Sequence, residues 1–219
     1  SQLNPRFPTV WRNLALLLFN KQDRHDDALR NMELAFSLDT NNARILMELD
    51  QLYKRMQKPH DKRLAYLESH LNLVEQRDDL LIEYATLLNQ TGKYREAKEL
   101  IDNHTFHPWE GGEGKVTTQY QVARVELAME AITDKRHDDA IQLLTECLDF
   151  PHHLGEGKLH GAQENDFFYL LGVAYEGLGD MASAHNCYER AIVGPQEPAA
   201  AMYYNDAKPD KIFYQGMAL

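Results

Sequence analysis

One spacing of large and small residues occurs twice in this chain, and it restricts the fold more than any other feature. Leu81, Tyr84, Ala85, Leu88, Gly92, Tyr94, Ala97 and Ile101 form one series; Phe168, Leu171, Gly172, Tyr175, Gly179, Met181, Ala184 and Tyr188 form the other. The steps are the same in both: three, one, three, four, two, three and four residues. Steps of three and four place side chains on one face of a helix. A small residue at Ala85 or Gly172 lets a second helix approach closely, and Ala97 and Ala184 do the same on the returning helix. Gly92 and Gly179 stand where the first helix must stop, and glycine takes the left-handed cap there at little steric cost.

Looser copies fill the rest of the chain. Trp11, Leu14, Ala15 and Leu18 keep the first-helix steps, and Ala28, Met32 and Ala35 carry a second helix. Leu46, Leu49, Asp50 and Tyr53 follow, with Asp50 where a small residue is usual; Leu64, Leu67 and Leu71 then line the next helix. Ala140, Leu144 and Cys147 mark a fourth second helix after a long first helix near Thr117–Thr133. Ile212, Gln215, Gly216 and Leu219 begin a sixth unit. The predicted units are 9–40, 42–75, 78–104, 117–150, 164–195 and a final helix at 209–219. Repeats of this kind stack on their neighbours to bury a shared core.

The stretch F-Y-L-L-G-V-A-Y-E-G-L-G-D-M-A-S-A-H-N-C-Y-E-R-A, residues 168–191, resembles the tetratricopeptide (TPR) repeat family. That resemblance implies an all-α fold: a right-handed α-solenoid of about five helix–turn–helix repeats plus the first helix of a sixth, in one domain over 1–219. It also implies a protein or peptide partner in the groove lined by first helices, and no enzymatic activity. On those helices Arg12, Asn20, Gln51, Lys54, Asn89 and Glu176 are expected at the groove. The family's carboxylate clamp of Lys and Asn is not reproduced, because the first unit has Arg12 and Leu16 at the matching places.

Composition excludes several partners. The net charge is −11, which repels phosphate backbones and anionic lipid. No apolar run approaches the ~20 residues of a membrane-spanning helix. The opening S-Q-L-N-P-R-F-P-T-V-W has no signal-peptide pattern. Cys147 and Cys187 are isolated, as expected of small buried hydrophobes in a reducing, cytoplasmic setting. No cofactor is expected.

The repeat is irregular at two joints. Ala28 to Ala97 spans two ordinary units, but Ala97 to Ala140 and Ala140 to Ala184 each carry about nine or ten residues beyond the ordinary period of 34. The extra segments, residues 104–116 and 151–161, both contain Gly-Glu-Gly-Lys followed by an aliphatic residue. Insertions in a solenoid fall on one side, often the binding side. Trp109, Glu110, Glu113, Lys115, Glu156 and Lys158 are therefore candidate ligand or partner residues. Tyr203, Tyr204 and Asp206, in a third joint rich in tyrosine and acid, join them. Aromatic faces beside carboxylates suit a polar small ligand such as a saccharide. Equally, Trp109 suits a structural role in which the glycines turn the chain around it. Val116 and Leu159 follow the lysines where a phosphate loop needs Ser or Thr, so nucleotide binding is not expected. His104, His107, His152 and His153 occupy comparable places in the two insertions, but no metal site is assigned to them.

H-P-W-E-G-G-E-G-K (107–115) and Y-Y-N-D-A-K-P-D-K-I-F-Y-Q-G (203–216) also resemble the C-terminal TPR region of long bacterial proteins that begin with a β-sandwich domain. That narrower resemblance implies a fragment of a larger protein with a saccharide-related role.

Overall fold

A computed structural model describes residues 6–159, 161–199 and 208–219. The described residues form a series of α-helices, with longer connections after α7, α9 and α11. The helices are α1 (Pro8–Gln22), α2 (His25–Leu38), α3 (Ala43–Arg55), α4 (His60–Glu68), α5 (Leu71–Val74), α6 (Asp78–Gln90), α7 (Tyr94–Asp102), α8 (Lys115–Thr133), α9 (His137–Glu146), α10 (Asn165–Leu178), α11 (Met181–Ala191) and α12 (Pro209–Met217). No strand occurs among the described residues, and none of the helices is long and apolar enough to cross a membrane. The chain divides into two compact units, Ser1–Thr91 and Gly92–Leu219.

The small residues of the repeat sit where helices cross. Ala28, Ala97, Ala140 and Ala184 are all fully buried. At Gly172 the approach is so close that an added Cβ would lie 2.4 Å from the Tyr188 ring, whose hydroxyl donates to Glu176 at 2.8 Å. Gly92 and Gly179 have φ of +78° and +80°, the left-handed conformation expected of residues that end a helix.

In the first unit α1 packs on α2, α2 on α3, and α4 on both α3 and α6. Here the exception at Asp50 is resolved. Asp50 is fully buried on α3, and Arg63 of α4, only 2% exposed, reaches into the space beside it. The guanidinium donates to both Asp50 oxygens at 3.0 and 2.7 Å and to Glu83 of α6 at 2.7 Å. Lys54 donates to the second Glu83 oxygen at 2.9 Å. Burial pushes the Glu83 carboxyl up, but hydrogen bonds from Arg63 and Lys54 outweigh it and hold the group below its ordinary value.

The helix expected to carry Leu64, Leu67 and Leu71 is not continuous. It stops at Glu68, and the short α5 resumes at Leu71. Leu71 turns outward at 40% exposure, while Leu73 and Val74 enter the core. His70 accounts for the break: its side chain is held at 2.9 Å from the Tyr66 carbonyl, and its ring packs edge-on against Phe36 at 5.2 Å.

The second unit repeats the arrangement with different residues. α8 packs on α7 and α9, and α10 packs on α9, α11 and α12. Arg124 of α8 is 3% exposed. It donates to Asp102 of α7 at 2.6 Å and to Glu146 of α9 at 2.8 Å, and its guanidinium stacks 3.5 Å from the Tyr120 ring centroid. Burial pushes the Cys147 thiol up to about 12, which disfavours the reactive thiolate. Cys187 is likewise buried and free.

Removing one partner of a buried ion pair strands the other charge in the interior, at a cost of about 3–5 kcal/mol. Arg63→Ala is therefore expected to lower the thermal unfolding midpoint by roughly 10 °C. Replacing both partners, Asp50→Ala with Arg63→Met, is expected to recover most of that loss. A single variant that unfolds no earlier than the parent shows that the Arg63 cluster does not support the first unit.

Candidate functional site

The two Gly-Glu-Gly-Lys insertions bond to each other. The Phe106 amide of the first donates to the His153 carbonyl of the second at 2.8 Å. The Gly114 amide donates to the Glu156 carboxylate at 2.8 Å. Burial, reinforced by the nearby charge of Glu113, pushes Glu156 up from its ordinary value against the pull of that amide. Gly155 has φ +74°, and an added Cβ would lie 2.6 Å from the Phe106 carbonyl oxygen. Only glycine meets both conditions.

These contacts use several of the residues that the sequence nominates for ligands. The half-buried Trp109 lays its ring over Gly112, 2.4 Å from where a Cβ would stand. Lys158 donates to the Leu148 carbonyl at 2.8 Å and pairs with Glu164. Glu110, Glu113 and Lys115 are exposed. Tyr203, Tyr204 and Asp206 lie outside the described residues. The anchors that sequence reasoning missed are Phe106 and Leu154, 2% and 1% exposed. His104 packs edge-on against Phe106 with centroids 4.6 Å apart. Among the described residues no three His, Cys, Asp or Glu side chains gather in a metal-holding group.

Beside the joined loops lies a cleft of about 240 Å³ on the first-helix side of the second unit. α8, α10 and α12 form its walls, and the insertions close it through Gly114 and Leu159, with Ala162 just beyond the second. Val122, Val125, Phe150 and Phe167 give it apolar surface. Its polar side carries Glu126, Glu164, Asp166, Asp210, Lys208 and Lys211. Asp166, on the first turn of α10, pairs with Lys211 of α12 at 2.5 Å, and the Lys211 ammonium also lies 4.7 Å from the Phe167 ring centroid. Burial pushes the Asp166 carboxyl up from its ordinary value, against Lys211 and the first-turn amides of α10. Of the first-helix residues expected at a groove, Asn89 is only 5% exposed, and Arg12 is held by Glu48.

Residues 166–192 match the tetratricopeptide repeat family model. They cover nearly all of α10 and all of α11, and α10 is one wall of the cleft. Solved structures share the fold at low sequence identity. YrrB, described as a TPR protein with an unusual peptide-binding site, is 18% identical, with a TM-score of 0.55 over 87% of this chain and 88% of its own. A MamA crystal structure is 16% identical, with a TM-score of 0.54 over 84% of this chain and 90% of its own. MamA from Desulfovibrio magneticus RS-1 is 12% identical, with a TM-score of 0.51 over 84% of this chain and 93% of its own.

The joint between the insertions is expected to be stiff at one glycine and tolerant at another. Gly155→Ala combines a left-handed non-glycine backbone with a clash against a carbonyl, for a cost of about 2 kcal/mol and a midpoint lower by about 5 °C. Gly157 has nothing within 4 Å of an added Cβ, so Gly157→Ala is expected to leave the midpoint unchanged. Equal midpoints for the two variants refute the loop–loop contact.

Proposed function

We propose that this chain is a TPR-type interaction scaffold that receives a peptide segment of a partner protein in the cleft between α8, α10 and α12. The observation that carries this reading is the coincidence of that cleft with the two joints that carry the Gly-Glu-Gly-Lys insertions. A binding groove on first helices is where this architecture presents surface, and insertions on the same side close it at one end. Peptide binding by YrrB supports the reading by fold alone.

No catalytic role is assigned. The cysteines are buried, and the Glu156 carboxylate of the joined loops is engaged in holding the Gly114 amide. The Gly-Glu-Gly-Lys residues act through shape: they fix the wall of the cleft and need not touch the ligand. The resemblance of residues 107–115 and 203–216 to long bacterial proteins supports placing this scaffold as the non-catalytic part of a larger polypeptide.

A displayed random-peptide library panned on the purified chain tests the proposal. Selected peptides are expected to lose at least tenfold in affinity, about 1.4 kcal/mol, when Val122→Arg fills the cleft. The same peptides are expected to bind Trp109→Ala within about twofold of the parent. Peptides that ignore Val122→Arg, or a library that yields none, overturn the cleft as the binding site. Loss in Trp109→Ala alone moves the site to the exposed face of the insertions.

A further inference from the structure

The cleft carries more negative charge than it neutralises internally. Glu164 is matched by Lys158 and Asp166 by Lys211. Glu126 of α8, which is hydrogen-bonded to the Tyr94 hydroxyl, and Asp210 of α12 have no ion-pair partner among the described residues, while Lys208 is an exposed lysine at the edge. The carboxylates converge from three helices. After burial, the charges of Asp166, Glu126 and Asp210 together push the Tyr214 hydroxyl up, so all three lie within electrostatic reach of one ring.

A second observation comes from Asp166. The residue is 8% exposed and lines the cleft; Lys211 takes its Oδ2, the amides at the start of α10 lie close to the carboxylate, and Oδ1 completes no hydrogen bond of good geometry among the described residues. A buried carboxylate oxygen without a donor is costly, and a donor brought by a ligand relieves that cost. A neutral donor relieves the hydrogen-bonding deficit alone. A cation also meets the unmatched charge of Glu126 and Asp210.

Resting on the cleft as the peptide site, the geometry points to a partner segment that inserts a lysine or arginine side chain here, its apolar stem along Val122 and Val125 and its charged end toward Asp166, Glu126 and Asp210. Long cationic side chains bury their methylenes on apolar surface while the head finds carboxylates. An acidic or C-terminal-carboxylate ligand meets like charge in the same place.

Blocked single residues probe this directly, by two-dimensional NMR titration of the whole chain. N-acetyl-arginine amide and N-acetyl-lysine amide are expected to shift α8, α10 and α12 signals saturably, at least fivefold more tightly than the neutral citrulline and norleucine analogues. Asp166→Asn is expected to bring that ratio within twofold. Should Asp166→Asn fail to fold, Glu126→Gln on the opposite wall is expected to reduce the ratio at least twofold. Citrulline binding as tightly as arginine, no shift with any probe, or full discrimination in the folded variants overturns the inference. Library peptides that need the cleft yet carry no lysine or arginine sink this inference and leave the cleft reading intact. Peptides insensitive to Val122→Arg sink the cleft reading itself.

Discussion

Arg63 and Arg124 each stand where three helices meet, and what they bond to decides how those helices can pack. Arg63 joins α3, α4 and α6 through Asp50 and Glu83; Arg124 joins α7, α8 and α9 through Asp102 and Glu146. A guanidinium in the interior is tolerable only when its fork meets carboxylates of fixed geometry, because desolvating it costs several kcal/mol. Once that condition is met, the angle and offset of three helices are tied to one side chain. Apolar ridges packed into grooves already restrict how two helices cross, and each buried guanidinium adds a constraint that involves three helices at once. Each unit thus has an apolar stripe that drives collapse and a buried arginine whose ion pairs join three of its helices.

The helical register was legible from side-chain spacing because steps of three and four report which residues share a face. Ala28, Ala97, Ala140 and Ala184 are buried for the reason the spacing implies, and Gly179 is left-handed for the reason its place implies. What spacing does not report is the partner across a crossing. Asp50 stood out as a misfit, but Arg63 lies 13 residues on and Glu83 a further 20, on different helices. Leu71 fits the periodicity of α4 and is exposed nonetheless, because His70 bends the chain between them. A local side-chain contact there overrides a pattern that assumes an unbroken helix.

The insertions show the same division. Their shared Gly-Glu-Gly-Lys was visible as a repeat within a repeat, and the two copies do meet through Gly114 and Glu156. Their prominent side chains, however, turn toward the protein: Trp109 onto Gly112, and Lys158 onto Leu148 and Glu164. The quieter residues Phe106 and Leu154 anchor them in the core. An aromatic residue in a glycine-rich loop invites a ligand in a one-dimensional reading. In three dimensions the neighbouring glycine is the surface it covers.

On the proposed reading, function sits one step away from the residues that look functional. The joined loops contribute Gly114 and Leu159 to the cleft, which are backbone and one apolar side chain. Chemistry enters from the helices behind them, through Asp166, Glu126 and Asp210. Two ranges of electrostatics then act together. The chain's net charge of −11 draws cations toward the whole surface, an effect that salt screens over about 8–10 Å. The buried oxygen of Asp166 acts only at hydrogen-bond distance and is hardly screened. The first sets how often a cationic segment arrives, and the second sets whether it stays. Salt should therefore slow association at this cleft more than it hastens release.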